Sequence, residues 1–133
     1  MTIYGIGTDL TNTSRISKLV KKKNFINRMF SEKEIQKCER VSKSANCYAK
    51  RFAAKEAFAK ALGIGIAKGI SFKEISVYNI KSGKPEINIS GKTKKIVEKT
   101  LKTKKFKVFL TLSDDKPFWN SNQWLYQNEE KNL

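Results

Sequence analysis

The chain has 133 residues, enough for one domain with a core but not for two, and 39% of them are hydrophobic, which excludes a disordered chain. Its 28 Lys and Arg against 12 Asp and Glu leave a net charge of +16, a field that attracts nucleic acid, an acidic protein or a phosphorylated small molecule. The lack of histidine excludes imidazole catalysis and a Cys–His zinc site, and no apolar run reaches the roughly 20 residues of a membrane span.

Residues 2–9 predict a short strand that ends at Asp9, in which Gly5 and Gly7 let other backbone approach closely. The opening enters this pattern without a basic leader, so a cytoplasmic location is expected. The polar cluster Thr11-Asn12-Thr13-Ser14 offers N-caps for a helix starting near Arg15, with Ile16, Leu19 and Val20 as its apolar stripe. Ser31 and Glu34 form a capping-box pattern opening a second helix to about residue 41. The longest helix is expected over residues 45–62, stopped by Gly63. Cys38 and Cys47 are expected to be reduced, partly buried helix residues.

Residues 72–80 predict a strand with Ile75 and Val77 on one face. The turn Ser82-Gly83-Lys84-Pro85 leads to a second strand at 86–90. An amphipathic helix over 92–101 and a strand over 106–112 follow. The irregular alternation predicts an α+β fold, with helices packed on a mainly antiparallel sheet. A single domain over residues 1–126 is expected, with a frayed tail at 127–133. Near its end Phe118, Trp124 and Tyr126 permit a weakened strand, which Asn120 and Asn122 on the same alternation oppose.

Stepping by four from Phe52 reaches Glu56 and then Lys60, so ring, acid and base share one helical face. On these residues alone, the pair is either a place for a metal beside a phosphate or a surface ion pair of roughly 0.3–0.5 kcal/mol. Asp9 likewise reads as a ligand or as a helix cap, and Gly83-Lys84-Pro85 as a site loop or as a plain turn.

Order and wording add to this. Gly5-Ile6-Gly7-Thr8-Asp9 matches a G-I-G-x-D pattern, and residues 52–60 match F-x-x-K-E-A-x-x-K. With Arg15-Ile16, Gly63-Ile64-Gly65 and Gly83-Lys84-Pro85, the chain resembles the bacterial holo-(acyl-carrier-protein) synthases over residues 2–116. These are small members of the 4'-phosphopantetheinyl transferase superfamily. The resemblance implies transfer of phosphopantetheine from coenzyme A to a serine of apo-acyl carrier protein, with release of 3',5'-ADP, for fatty acid biosynthesis.

It also implies Asp9 and Glu56 as ligands of Mg2+, an ion that takes carboxylate, phosphate and water oxygens. Lys60 is then expected at the pyrophosphate, completing a catalytic set of Asp9, Glu56 and Lys60. Gly63, Gly65, Gly83, Lys84 and Pro85 are expected, with Lys60, to shape the coenzyme A site. Arg51 and Lys55 are expected either at the nucleotide phosphates or in solvent. The acidic carrier protein is expected along the basic stretch 15–28, taken as one helix, through Arg15, Lys21, Lys22, Phe25 and Arg28. A homotrimer with sites at subunit interfaces is implied as well.

Two departures stand out. Asp114 occupies a place where many members carry histidine, leaving a metal-bound water beside Glu56 as the preferred proton acceptor. The segment after residue 116 is more polar than the family's last strand. The rival reading is a basic nucleic-acid-binding domain using Lys94, Lys95, Lys102, Lys104 and Lys105, although no recognition motif or aromatic stacking platform accompanies them.

Overall fold

The computed structural model describes residues 2–64 and 68–114. Gly65 and the expectations for residues 117–133 lie outside them. Helix α1 (Thr13–Leu19) is capped by Asn12, whose side-chain oxygen accepts from the N–H groups of Ser14 and Arg15. The basic stretch expected as one helix is two. The N–H of Val20 closes α1 on the Ile16 carbonyl, and extended Lys22 leads into α2 (Lys23–Met29).

The capping box opens α3 (Glu32–Arg40) as expected, with the Ser31 hydroxyl accepting from Glu34 N–H and the Glu34 carboxylate from Ser31 N–H. Helix α4 (Ser44–Leu62) ends at Gly63, whose φ of 71° is the left-handed cap that only glycine adopts without cost.

The front of the strand predicted over residues 72–80 is instead a 3-10 turn, Phe72–Glu74. Strand β1 (Ile75–Asn79) then pairs antiparallel with β2 (Pro85–Ile89), Ile75 facing Ile89 and Asn79 facing Pro85. Helix α5 (Gly91–Leu101) follows. The fold is α+β, and among the described residues no helix is long and apolar enough to cross a membrane.

Residues 2–9 and 106–112 correct the strand expectations, because neither segment joins the sheet among the described residues. Burial still alternates along the second one. Phe106, Val108, Leu110 and Leu112 are partly buried, while Lys107, Phe109 and Thr111 are exposed. The strand pattern is therefore present, but a strand is completed only by a partner backbone.

The core gathers around α4. Phe52 stacks at about 6 Å from Phe25 and Phe72, and the Phe30 ring lies 4.8 Å from Tyr48. Ile16, Ile75 and Val97 close the core without any exposure. Within it sits an ion pair, both side chains fully buried. The Lys55 ammonium donates to Glu34 Oε1 at 2.6 Å, to the Phe72 carbonyl at 2.7 Å and to the Ile75 carbonyl. The other carboxylate oxygen of Glu34 accepts from the N–H of Val77. Burial pushes Lys55 down to about 8, with the Glu34 carboxylate opposing that shift.

Cys38 and Cys47 correct a further expectation: they form a disulfide joining the end of α3 to the start of α4. Their Cα atoms are 5.4 Å apart, within the range a bridge requires, and both side chains are buried. A spacing of nine across an unread turn could not reveal that facing.

Glu74 closes the N-terminus of α5. Its carboxylate accepts from the N–H groups of Lys92 and Thr93 and from the Thr93 hydroxyl, satisfying donors that the helix cannot. Replacing Glu74 with Ala should cost about 1–2 kcal/mol. The midpoint of a guanidinium unfolding curve measures this, and an unchanged midpoint would count against the cap.

Candidate active site

Asp9 reaches α4 because the segment before it carries no side chain where it crosses the helix. A Cβ built on Gly5 would overlap the carbonyl oxygen of Ala61, and one on Gly7 that of Ala57. Ala57 and Ala61 lie one turn apart on the same face, so glycine and alanine together set the close approach. Close approach was the expectation for these glycines, and it holds without a strand.

This crossing delivers Asp9 to Lys60. The Lys60 ammonium donates to Asp9 Oδ1 at 3.0 Å and to the Thr8 carbonyl at 3.2 Å. The Thr11 hydroxyl donates to the second oxygen of Asp9 at 2.8 Å. Asp9 keeps 14% of its side chain exposed against 56% for Lys60, so the carboxylate is enclosed while the lysine side chain lies open to solvent. Glu56, one turn before Lys60, is half-buried and takes part in no ion pair among the described residues. The expected alternatives for Glu56 and Lys60 are thereby narrowed: Lys60 bridges to Asp9 rather than to Glu56.

Among the described residues no cluster of three or more Asp, Glu, His or Cys side chains could enclose an ion. Two carboxylates on adjoining elements still match magnesium, which takes one or two carboxylates and completes its shell with water and phosphate oxygens. The donor set fits that ion and not a closed protein cage.

A second cluster lies at the other end of α4, in a cleft of about 450 Å3. Gly83 and Pro85 of the β1–β2 turn line one side of it, and Lys43, Lys50 and Arg51 line another. Gly83 adopts a φ of 89°, and its carbonyl accepts from the Asn79 side chain, which fixes the turn. Lys84 is exposed at its tip. Gly63 caps α4 with open space around its Cα.

Arg51 and Lys55 separate here. Lys55 faces neither solvent nor the cleft, which corrects both readings of it. Arg51 is 5% exposed and lines the cleft. Its guanidinium donates to the Cys47 carbonyl at 3.2 Å and to Asn79 Oδ1 at 3.2 Å, while its buried Nε has no partner among the described residues. Burial lowers its affinity for the proton. A buried cation bonded only to neutral groups favours an incoming anion. Asp114 also lines this cleft, 3.6 Å from Lys50.

The basic stretch is organised differently from the expectation. Leu19, Lys22, Lys23 and Arg28 surround a shallow apolar hollow with Phe25 at its base. Phe25 is 8% exposed and packs on Phe30 and Phe52, so it is mainly a core residue. Arg15 and Lys21 are exposed on the same stretch. Sequence reasoning missed the cationic wall of Lys37, Lys43 and Lys50. Lysines scattered over thirteen positions carry no periodic signal that joins them.

A family model described as the 4'-phosphopantetheinyl transferase superfamily matches residues 5–117. The holo-[acyl-carrier-protein] synthase of Pelagibacter ubique is 46% identical over 118 residues, covering 89% of this chain and 92% of its own. The crystal structure of the Neisseria meningitidis holo-[acyl-carrier-protein] synthase superposes with a TM-score of 0.76 at 38% identity, covering 86% of this chain and 91% of that one. The Helicobacter pylori enzyme, solved in complex with coenzyme A, superposes at 0.61 with 35% identity over 70% of this chain and 80% of its own.

The glycine crossing gives a direct test of the site. Gly7→Ala should push the 2–9 segment off α4 and separate Asp9 from Lys60. Since that segment adds no strand to the sheet, helical circular dichroism should persist while a crystal structure of the variant shows the Asp9–Lys60 contact broken. An intact contact would refute the steric account. On the matches reported above, the chain belongs to the 4'-phosphopantetheinyl transferase superfamily, among its holo-[acyl-carrier-protein] synthases.

Proposed function

We propose that this chain transfers the 4'-phosphopantetheine group of coenzyme A to a serine of apo-acyl carrier protein in a magnesium-dependent reaction in the cytoplasm, with Asp9 and Glu56 holding the ion. The observation that carries the site assignment is the delivery of Asp9 to α4, one turn from Glu56, by the Gly5–Gly7 crossing. In the reaction the serine oxygen bonds to the phosphorus of the phosphopantetheine phosphate. The bond from that phosphorus to the bridging oxygen breaks, 3',5'-ADP leaves with the electron pair, and the serine gives up its proton.

When bound, magnesium supplies positive charge for the pyrophosphate and for the leaving oxygen. Without an ion Lys60 neutralises Asp9; with coenzyme A present its exposed ammonium is free to swing to the leaving phosphate. Glu56, free of any described ion pair, takes the serine proton through a water molecule. The cleft of Lys37, Lys43, Lys50 and Arg51 receives the nucleotide phosphates, with Gly83, Lys84 and Pro85 shaping its rim.

Helix geometry separates these two groups within one chain. Arg51 precedes Lys60 by nine residues, which at about 100° per residue places them half a turn apart, and about 13 Å apart along the axis. A second copy that sets its cleft against the Asp9 face completes the site, which supports a homotrimer with shared sites. Ile3, Ile6 and Phe109 agree with this: each is at least 74% exposed, on the two segments whose strand pattern lacks a partner in the single chain. The carrier, an acidic protein, docks on Arg15, Lys21, Lys22 and Arg28 around the hollow over Phe25. Nucleic acid has no part in this reading.

Recombinant protein should label an apo-carrier protein from coenzyme A with magnesium, and lose that labelling when the ion is chelated. Asp9→Ala and Glu56→Ala should each lower the rate at least about 100-fold with an unchanged circular dichroism spectrum. Full activity in either variant would overturn the ligand assignment, and saturable RNA binding without coenzyme A binding would favour the nucleic-acid reading. Ile6→Asp should convert a trimer to monomers in sedimentation and abolish transfer together. A monomer as active as the unaltered chain would refute the shared site.

A further inference from the structure

Lys55 touches none of the groups assigned to the reaction, yet its buried ammonium makes three hydrogen bonds. It precedes Glu56 directly, and its ammonium ties α4 to three other pieces of chain. Glu34 of α3 takes one bond, the Phe72 carbonyl at the 3-10 turn another, and the Ile75 carbonyl at the start of β1 the third. Glu34 in turn accepts from Val77 N–H within β1 and from Ser31 N–H at its own helix cap. Of the other α4 side chains near this point, Ala54, Phe58 and Ala59 are smooth apolar groups that specify a helix's rotation weakly, while Phe52 packs on Phe25 and Phe72 and Arg51 donates to Asn79.

We propose that Lys55 is a positioning residue for the transfer reaction: its three directed bonds fix the rotation of α4, and through the backbone they aim Glu56 and Lys60 at Asp9. A charged hydrogen bond has a narrow geometry, and three of them from one ammonium leave little freedom about the helix axis. The buried state is stable because every donor of the ammonium is used. A neutral side chain of similar length would fill the volume and leave the rotation free. This inference rests on the transferase reading above.

The test separates aiming from stability. Lys55→Met leaves Glu34 buried and unpaired, and should lower Tm by roughly 10 °C or more. The double variant Glu34→Gln with Lys55→Met removes both charges, keeps an acceptor for the backbone N–H groups that Glu34 serves, and should recover much of the lost Tm. If Lys55 aims α4, the double variant still turns over at least tenfold more slowly at saturating coenzyme A. It also needs several-fold more magnesium for half-maximal rate. A double variant with kcat restored along with Tm would overturn the proposal and leave the pair purely structural.

Should the double variant not fold, Lys55→Arg decides. Its planar fork cannot reproduce the three bonds, so a tenfold lower kcat in a folded protein supports aiming, and an unaltered kcat overturns it. Labelling by the unaltered chain, run alongside, reports on the transferase reading itself. Failure there is thereby distinguished from failure here.

Discussion

The buried bond between Lys55 and Glu34 is the contact on which the rest of this small domain depends. Removing two charges from water costs several kcal/mol per ion, and a core this size has little surplus with which to offset it. The arrangement survives because no donor or acceptor is wasted. The ammonium spends its three hydrogens on one carboxylate and two carbonyls, and the carboxylate collects two backbone N–H groups besides. Those partners belong to α3, to the 3-10 turn and to β1, so a single pair ties α4 to three neighbouring segments. The aromatic cluster then fills the remaining space without having to define direction.

Given a fixed α4, its two ends acquire different chemistry. The C-terminal half presents Glu56 and Lys60 to the glycine crossing, and so to Asp9. The N-terminal half presents Arg51 to a cationic cleft closed by the β1–β2 turn. Half a helical turn separates the two, so in the proposed reading one chain carries two incomplete halves of a site. The exposed apolar residues of segments 2–9 and 106–112 are in keeping with that incompleteness. Ile3, Ile6 and Phe109 are the sort of side chains a stable monomer would have covered. In the proposed reading, association of identical copies would join the two halves and cover the exposed side chains of these segments.

Much of this was legible from the residues. The capping box at Ser31, the glycine stop after Leu62 and the turn before Pro85 are local signals, written within four or five positions, and each appears where it was expected. The close approach of Gly5 and Gly7 was legible too, though its partner was not. What the sequence hid were relations between distant segments. Lys55 lies in a signature with Glu56 and Lys60, yet faces the core because Glu34, twenty-one positions earlier, waits there; as a capping-box acid, Glu34 gave no hint of a second task. Cys38 and Cys47 face each other only because the α3–α4 turn folds back sharply. The strands at 2–9 and 106–112 failed for the converse reason: their alternation was real, but pairing is a property of two segments.

The last step concerns charge. Fifteen positions of chain, 37–51, bring Lys37, Lys43, Lys50 and Arg51 to one cleft, and among the described residues only Asp114 lines it as an acid. Asp114 is half-exposed and faces Lys50 at 3.6 Å, so it offsets one surface lysine and leaves Arg51 uncompensated. An exposed pair of this kind contributes little to stability, whereas an unpaired buried guanidinium costs a good deal. The fold retains the costly group and anchors it to Cys47 and Asn79, which orients it without neutralising it. Such an arrangement is intelligible when the missing counter-charge arrives with a ligand. In the proposed reading a nucleotide phosphate supplies this counter-charge, and part of the cost of burying the cation is returned as affinity for the anion.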